Sequence, residues 1–235
     1  MWCIPPQQDA AFVCAMEDVL EVYQRPYDAD YPVICLDEAS KQILCEVRPP
    51  LSAQPEHLHE DGTLAGAHCK RVDNEYKREG TCSLFMVFEP LAGKRKVFVR
   101  EQRTAVDYAH VLKVLCDEMY PDAKKIVLVQ DNLNTHGPES LYKAFPPAEA
   151  LRLKERIEWH HTPKHGSWLN MAETELSVLA GQCLEERMGS LVYLSSQVAA
   201  WERSRNLASC RVDWQFRTAD ARIKLKRLYP VIHAS

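Results

Sequence analysis

At 235 residues, with 46% hydrophobic and 26% charged side chains, the chain is long enough to bury a full core and too ordinary in composition to be disordered. A net charge of −4 argues against a protein that coats nucleic acid by electrostatics alone. No apolar run reaches membrane-spanning length, the first residues lack the regions of a signal peptide, and the nine cysteines follow no paired spacing, which together predict reduced thiols in a cytoplasmic protein with no membrane partner.

The charge is uneven. Residues 1–60 hold 11 acidic and 3 basic side chains, a net of −8, whereas residues 205–229 hold 7 basic and 2 acidic ones, a net of +5. The basic end, around Arg217, Arg222, Lys224, Lys226 and Arg227, suits phosphate contact or a solvated helix face.

In chain order, Phe12, Met16, Val19, Leu20 and Val22 recur at helical spacing over residues 9–23, and Pro26 ends the run. Residues 1–30 are expected to form a helical lead-in and linker. Apolar residues 33–36 predict a buried strand ending on Asp37, and residues 43–47 a second strand. Residues 51–80 are irregular and read as a long loop. Two further strands follow at 82–88 and 96–100, joined as a hairpin through Pro90 and Gly93. Thr104 and Asp107 have capping-box spacing ahead of Tyr108, Val111, Leu112, Leu115 and Met119 on one helical face. The strand at 126–130 ends on Asp131. Helices are expected near 139–145 and 148–155, a final strand at 157–160, and helices at about 168–186, 191–206 and 218–228.

An antiparallel set precedes an α/β half, and a right-handed crossover over helix 104–120 makes strand 126–130 parallel to its neighbour. The expected fold is α/β: a ribonuclease H-like mixed five-stranded sheet flanked by helices, with a helical lead-in and a basic helical C-terminal extension. In that arrangement the strands ending on Asp37 and Asp131 are adjacent. A third carboxylate, Glu173, flanks the apolar stripe Leu169, Ala172, Leu176, Leu179 and Cys183 of the 168–186 helix.

Three converging carboxylates repel unless a cation neutralises them, whereas any one aspartate at a strand end is ordinarily a turn or cap. Asp37, Asp131 and Glu173 together predict a magnesium or manganese site. Two ions about 3.5–4 Å apart stabilise the attacking and leaving oxygens of an in-line phosphoryl displacement, and magnesium needs few protein carboxylates because it keeps several waters. Asp37 is the natural bridging ligand. Asn132 and His136 are candidates to orient a phosphate or a metal-bound water, or else are turn and helix-start residues. Lys164 and His165 are candidate DNA-backbone contacts, Ser167 a candidate helix N-cap with Asn170 at the third helical position, and Trp168 a core residue. His57, His59, His68 and Cys69 match no tetrahedral zinc spacing. No phosphate-binding glycine loop and no hydrolase nucleophile signature is present.

The Asp37 strand, the Asp131-Asn132 to His136 block and the Ser167-Trp168-Leu169-Asn170 to Glu173 block resemble the catalytic domain of bacterial insertion-sequence DDE transposases, nearest to the mariner-like group. The resemblance covers residues 3–230, with separations of 94 and 42 residues between the acids. It implies a catalytic domain at residues 31–206 with an extension at 207–235 packed on it. It also implies two magnesium or manganese ions, cleavage at transposon ends and strand transfer into target DNA. Double-stranded DNA is the implied partner, with a homodimer as the active assembly and no small-molecule cofactor. Such transposases carry helix-turn-helix domains ahead of the catalytic domain, and these 235 residues show none, so a truncated or split-frame copy is the expectation. Two alternatives stay open: an inactive remnant that acts as a binding or oligomerisation module, and a nuclease that cuts without joining.

Overall fold

The computed structural model describes residues 4–231 apart from 6, 62, 134 and 135. A five-stranded sheet in the order β5-β4-β1-β6-β7 forms the centre. Its strands are β1 (Val33–Glu46), β4 (Tyr76–Glu89), β5 (Lys94–Arg100), β6 (Ile126–Gln130) and β7 (Ile157–His161). β5, β4 and β1 are antiparallel neighbours, while β1, β6 and β7 run parallel. This is the mixed sheet expected of a ribonuclease H-like fold.

Alternation along the strands divides the core in two. Cys35, Met86, Phe88, Val127 and Val129 face α1 (Ala10–Tyr23), α5 (Met171–Cys183) and α6 (Leu191–Leu207). Ile34, Leu36, Phe85, Val87, Ile126 and Leu128 face α2 (Ala105–Val114), α3 (Glu139–Ala144) and α4 (Pro147–Glu155). A period of two on strands and of three to four on helices makes this layering the only way to bury both sets of apolar side chains.

Several boundaries differ from expectation, each for a physical reason. The strands expected at 33–37 and 43–47 are one strand, because β4 pairs with β1 from Cys35 to Glu46 across an irregularity between Gln42 and Leu44. β4 itself starts at Tyr76 rather than 82. The polar residues in both arms hid the pairing, since of residues 37–46 in β1 and 76–81 in β4 only Ile43 is buried. The stretch expected as a loop contains the small ladder of β2 (His57–Leu58) and β3 (Leu64–Ala65), with bridges Leu51–Arg71 and Gln54–His68 further down. Its apolar residues Leu51, Leu58 and Leu64 are exposed.

The first helix is N-capped by Asp9, whose carboxylate accepts from Phe12 N at 2.9 Å. Its Phe12, Met16, Val19 and Leu20 lie within the core, so the helix packs in the same layer as α5 and α6. Thr104 and Asp107 form the expected capping box, with Thr104 N donating to Asp107 Oδ2 at 2.9 Å and Asp107 N to Thr104 Oγ1 at 3.2 Å. A π-helical turn, Leu115–Met119, continues α2. Gly93 closes the β4–β5 turn at φ +67°, where an added Cβ would also lie 2.9 Å from the Ser209 backbone.

At the β5 edge, α6 supplies the hydrogen bonds a further strand would make. Asn206 Oδ1 accepts from Arg95 N and its Nδ2 donates to Arg95 O, both at 2.9 Å, and Glu202 Oε2 accepts from Val97 N at 2.9 Å. The short helix α7 (Thr218–Lys224) packs on α1, with Arg222 paired to Glu17 at 2.9 Å and Thr218 Oγ1 donating to Glu21 at 2.5 Å. Lys224 lies over the Phe216 ring at 5.5 Å. Part of the basic C-terminal charge is therefore engaged within the fold. No helix among the described residues is long and apolar enough to cross a membrane.

Candidate active site

The parallel register Val33–Val127, Ile34–Leu128, Cys35–Val129 carries β1 and β6 side by side up to the acids. Continued by two residues, it brings Asp37 beside Asp131. Asp37 is in phase with Cys35, on the face covered by α5, while Asp131 follows the last residue of β6 and its Oδ1 lies 2.5 Å from His136 Nδ1. Glu173 lies in the first turn of α5, on that same face, exposed to solvent.

The helix is held there by Asn170 and not by Ser167, which is a correction to the expected cap. Asn170 is fully buried; its Oδ1 accepts from Ala172 N at 3.1 Å and its Nδ2 donates to Leu36 O at 2.8 Å. One side chain thus caps α5 and ties it to the residue before Asp37. Ser167 is exposed and opens a 3-10 turn, Ser167–Leu169. This turn explains why the helix begins at Met171 rather than 168. Tyr23 from α1 fixes the turn's end, donating its hydroxyl to Leu169 O at 2.7 Å. Trp168 packs against the core beside Phe216, with ring centroids 6.2 Å apart.

Electrostatics show that the acids sense one another. Burial pushes Asp37 up to about 7; the Glu38 N–H, 2.8 Å from Asp37 Oδ1, works against this, while the charges of Asp131, Glu38 and Glu173 add to it. Asp131 moves the other way. Burial would raise it, but the hydrogen bond and charge of His136 outweigh burial and hold it below the ordinary carboxylate value. The two aspartates are thereby pushed apart, one readily ionised and one retaining its proton near neutrality.

His136 lies elsewhere than a phosphate-orienting residue would. Its side chain is 1% exposed, with Nδ1 2.5 Å from Asp131 Oδ1 and Nε2 2.8 Å from Glu38 Oε2. Burial alone would lower its affinity for a proton, yet the hydrogen bonds and charges of Asp131 and Glu38 prevail and raise it to about 9. The ring stacks on Tyr108 of α2, with centroids 4.8 Å apart and planes at 29°. A direct contact between His136 and DNA is therefore excluded by burial. Asn132 donates Nδ2 to Thr162 O at 2.5 Å and so clips the ends of β6 and β7 together. Lys164 and His165 are exposed on the turn between β7 and α5, His165 at φ +66°. Gly166 lets that turn close: an added Cβ would stand 2.5 Å from Pro163 Cγ.

Glu38, Gln130, Tyr108 and His161 are supporting residues that the sequence reading did not single out. Gln130 is fully buried and donates Nε2 to His136 O at 2.8 Å, while its Oε1 accepts from Tyr108 OH. His161 Nε2 lies 3.1 Å from Gln130 Nε2 and 3.3 Å from His136 O. A lone amide closing the apolar run Ile126 to Val129 was the available signal, since a buried amide needs partners. Glu175, two residues after Glu173, is of another kind: it is buried and paired with the buried Arg95 at 2.8 Å and with Arg205 at 3.0 Å.

The donor chemistry fits a hard divalent cation, because carboxylate oxygens are the ligands magnesium and manganese take. Among the described residues no group of three or more His, Cys, Asp or Glu side chains is placed to hold one metal ion. Magnesium needs few protein ligands, because it retains waters and substrate oxygens.

No curated protein matches the chain in sequence. In structure it is similar to the Mos1 strand transfer complex, with a TM-score of 0.54 and 13% identity over 85% of this chain and 56% of that one. It is similar to the Mos1 transposase paired-end complex with left transposon end, at 0.54 and 14% over 88% and 60%. It is also similar to the mariner Mos1 paired-end complex with Mg, at 0.53 and 14% over 97% and 66%. These likenesses speak for the fold, and the chain spans 56% to 66% of the length of those Mos1 chains. The family model for the DDE superfamily endonuclease matches residues 53–192, which include Asp131 and Glu173 and leave Asp37 outside. That match covers more than half of the sequence, and the chain belongs to the DDE superfamily endonucleases.

Proposed function

We propose that this chain is the catalytic domain of a mariner-like DNA transposase of the insertion-sequence type, which cuts phosphodiesters at transposon ends and joins them to target DNA. The observation that carries the reading is Asp37 held up to about 7 by burial and by the charges of Asp131, Glu38 and Glu173, which supports three carboxylates near the ends of β1 and β6 and the start of α5 as the site. The similar Mos1 structures include a strand transfer complex, a paired-end complex with left transposon end, and paired-end complexes with Mg and with Mn, which supports DNA and a divalent metal as partners.

Asp37, Asp131 and Glu173 would hold the ions. When bound, these supply charge stabilisation to both oxygens of an in-line displacement and ease deprotonation of the attacking hydroxyl or water. Asp37 would contribute a carboxylate that burial and its acidic neighbours hold up at about 7. Asp131 contributes one already ionised. Glu173 would contribute a solvent-exposed carboxylate at the start of α5. Asn170 fixes the spacing between the helix and β1. Lys164 and His165, exposed beside this site, are suited to phosphates of the bound duplex. The active assembly is a pair of such chains on two DNA ends in a bacterial cytoplasm.

The test is incubation of the protein with a labelled duplex that carries its transposon end and a supercoiled target, with magnesium, with manganese and with a chelator. Nicking at the end and joined products are expected with either metal and neither with Asp131→Asn. Nicking without joined products would reduce the function to a nuclease. Cleavage that survives Asp131→Asn or the chelator would overturn the reading.

A further inference from the structure

We propose that Glu38 and His136 form a positioning brace for Asp131, fixing which of its oxygens is left for the metal. The inference rests on the metal-site reading above. Glu38 follows Asp37 on β1, so its side chain belongs to the opposite face of the sheet, among the apolar layer of α2 and α3. It is 4% exposed there, and a buried carboxylate is stable only with a donor or cation against it. Arg103 is more distant, at 3.7 Å, and is itself 57% exposed. His136 at 2.8 Å is the close partner.

Every part of His136 is fixed. Nδ1 is hydrogen-bonded to Asp131, Nε2 faces Glu38 Oε2 as an ion pair at 2.8 Å without hydrogen-bond geometry, and Tyr108 stacks on the ring. The main-chain N–H donates to Leu133 O at 2.8 Å, and the carbonyl accepts from Gln130 at 2.8 Å. Gln130 is in turn held by Tyr108. Asp131 sits just past the last residue of β6, where the ladder no longer constrains it. Its Oδ1 takes both the contact to His136 and a hydrogen bond from Leu133 N at 3.2 Å. With Oδ1 so engaged, Oδ2 is the oxygen without a hydrogen bond among the described residues. The imidazole thus reaches through the sheet edge from one layer to orient an acid whose work is on the other. Groups behind a metal ligand typically alter metal affinity or activity by about 10- to 100-fold.

A merely structural histidine would be indifferent to which of its nitrogens is mimicked. Asparagine places an amide nitrogen near the position of Nδ1, and glutamine places one near Nε2. His136→Asn therefore keeps a donor for Asp131 and loses Glu38, whereas His136→Gln keeps Glu38 and loses Asp131. Both delete the same ring. The measurement is the dissociation constant for Mn2+, followed by the loss of the free-ion signal in electron paramagnetic resonance, with thermal midpoints measured alongside. His136→Gln is expected to weaken Mn2+ binding by about 10- to 100-fold and His136→Asn by much less, although His136→Asn, which leaves the buried Glu38 unpaired, has the lower thermal midpoint. Glu38→Ala should weaken it as well, and should add little in the His136→Gln background, because the two act through one oxygen. Equal affinities for the two His136 variants would overturn the brace while leaving the metal site standing. If the unaltered protein bound Mn2+ no better than Asp131→Asn, the metal reading would fail and this inference with it.

Discussion

Glu173 and Glu175 lie two residues apart on α5 and are expected to behave as opposites. Glu175 meets Arg95 at 2.8 Å, with side-chain exposures of 3% and 0%, and also receives Arg205 at 3.0 Å. Burial pulls Arg95 down from the ordinary arginine value, and the charge of Glu175 offsets that pull. Glu175→Gln keeps the volume and one acceptor but leaves a buried guanidinium without its counter-charge and with a second cation nearby. Breaking a buried pair in this way costs about 3–5 kcal/mol. For a domain of this size that corresponds to a fall of about 6–20 °C in Tm, at about 2–4 °C per kcal/mol. Glu173→Gln, on the exposed turn, should move stability by less than about 0.5 kcal/mol and abolish metal-dependent cleavage. Urea unfolding followed by tryptophan fluorescence, together with the nicking assay, separates the two. If Glu175→Gln unfolded within about 1 kcal/mol of the unaltered protein, the buried-pair argument would be wrong.

Asn170→Ala removes both the α5 cap and the tie to Leu36, and should cost about 1–3 kcal/mol while lowering cleavage, because Glu173 loses its fixed distance to Asp37; unchanged activity at reduced stability would deny the tie any catalytic part. The metal-free protein should lose stability as pH rises from 5 to 9. The folded values of Asp37, about 7, and His136, about 9, lie above the unfolded ones, so their contributions are complete at low pH and vanish as pH passes those values, while the lowered carboxylates Asp131 and Glu149 have already ionised by pH 5. Calorimetric midpoints at pH 5.5 and 8.5 in chelator test this, and magnesium should recover part of the loss at pH 8.5; a midpoint that climbs with pH in chelator would contradict it.

The acids were legible because each ended a recognisable element: Asp37 and Asp131 closed apolar runs, and Glu173 flanked a helical stripe. The crossover rule made strand 126–130 parallel to its neighbour, and the ribonuclease H-like arrangement set it beside the strand ending on Asp37. What escaped the sequence reading was set by partners distant in the chain. The polar arms of β1 and β4 are strands only because they pair with each other. Ser167 and Asn170 are equally good caps on paper, and the choice depends on Leu36 O lying within reach of Asn170. His136 is legible as a chemically useful histidine next to an acid. Its burial depends on Tyr108 and Glu38, which no local pattern announces.

Asn206 and Glu202 do more than anchor α6. An open β-strand margin is a template on which any extended segment can dock, including the same strand of another copy. Here the carboxamide of Asn206 stands in for one residue of a neighbouring strand, accepting from and donating to Arg95, and Glu202 occupies the next outward N–H at Val97. The margin is thus closed along 95–97 by side chains the fold already owns. Partners of this protein must therefore find it by surfaces other than continuation of its sheet through β5. Copies of this protein can in this way be crowded without pairing through residues 95–97 of β5.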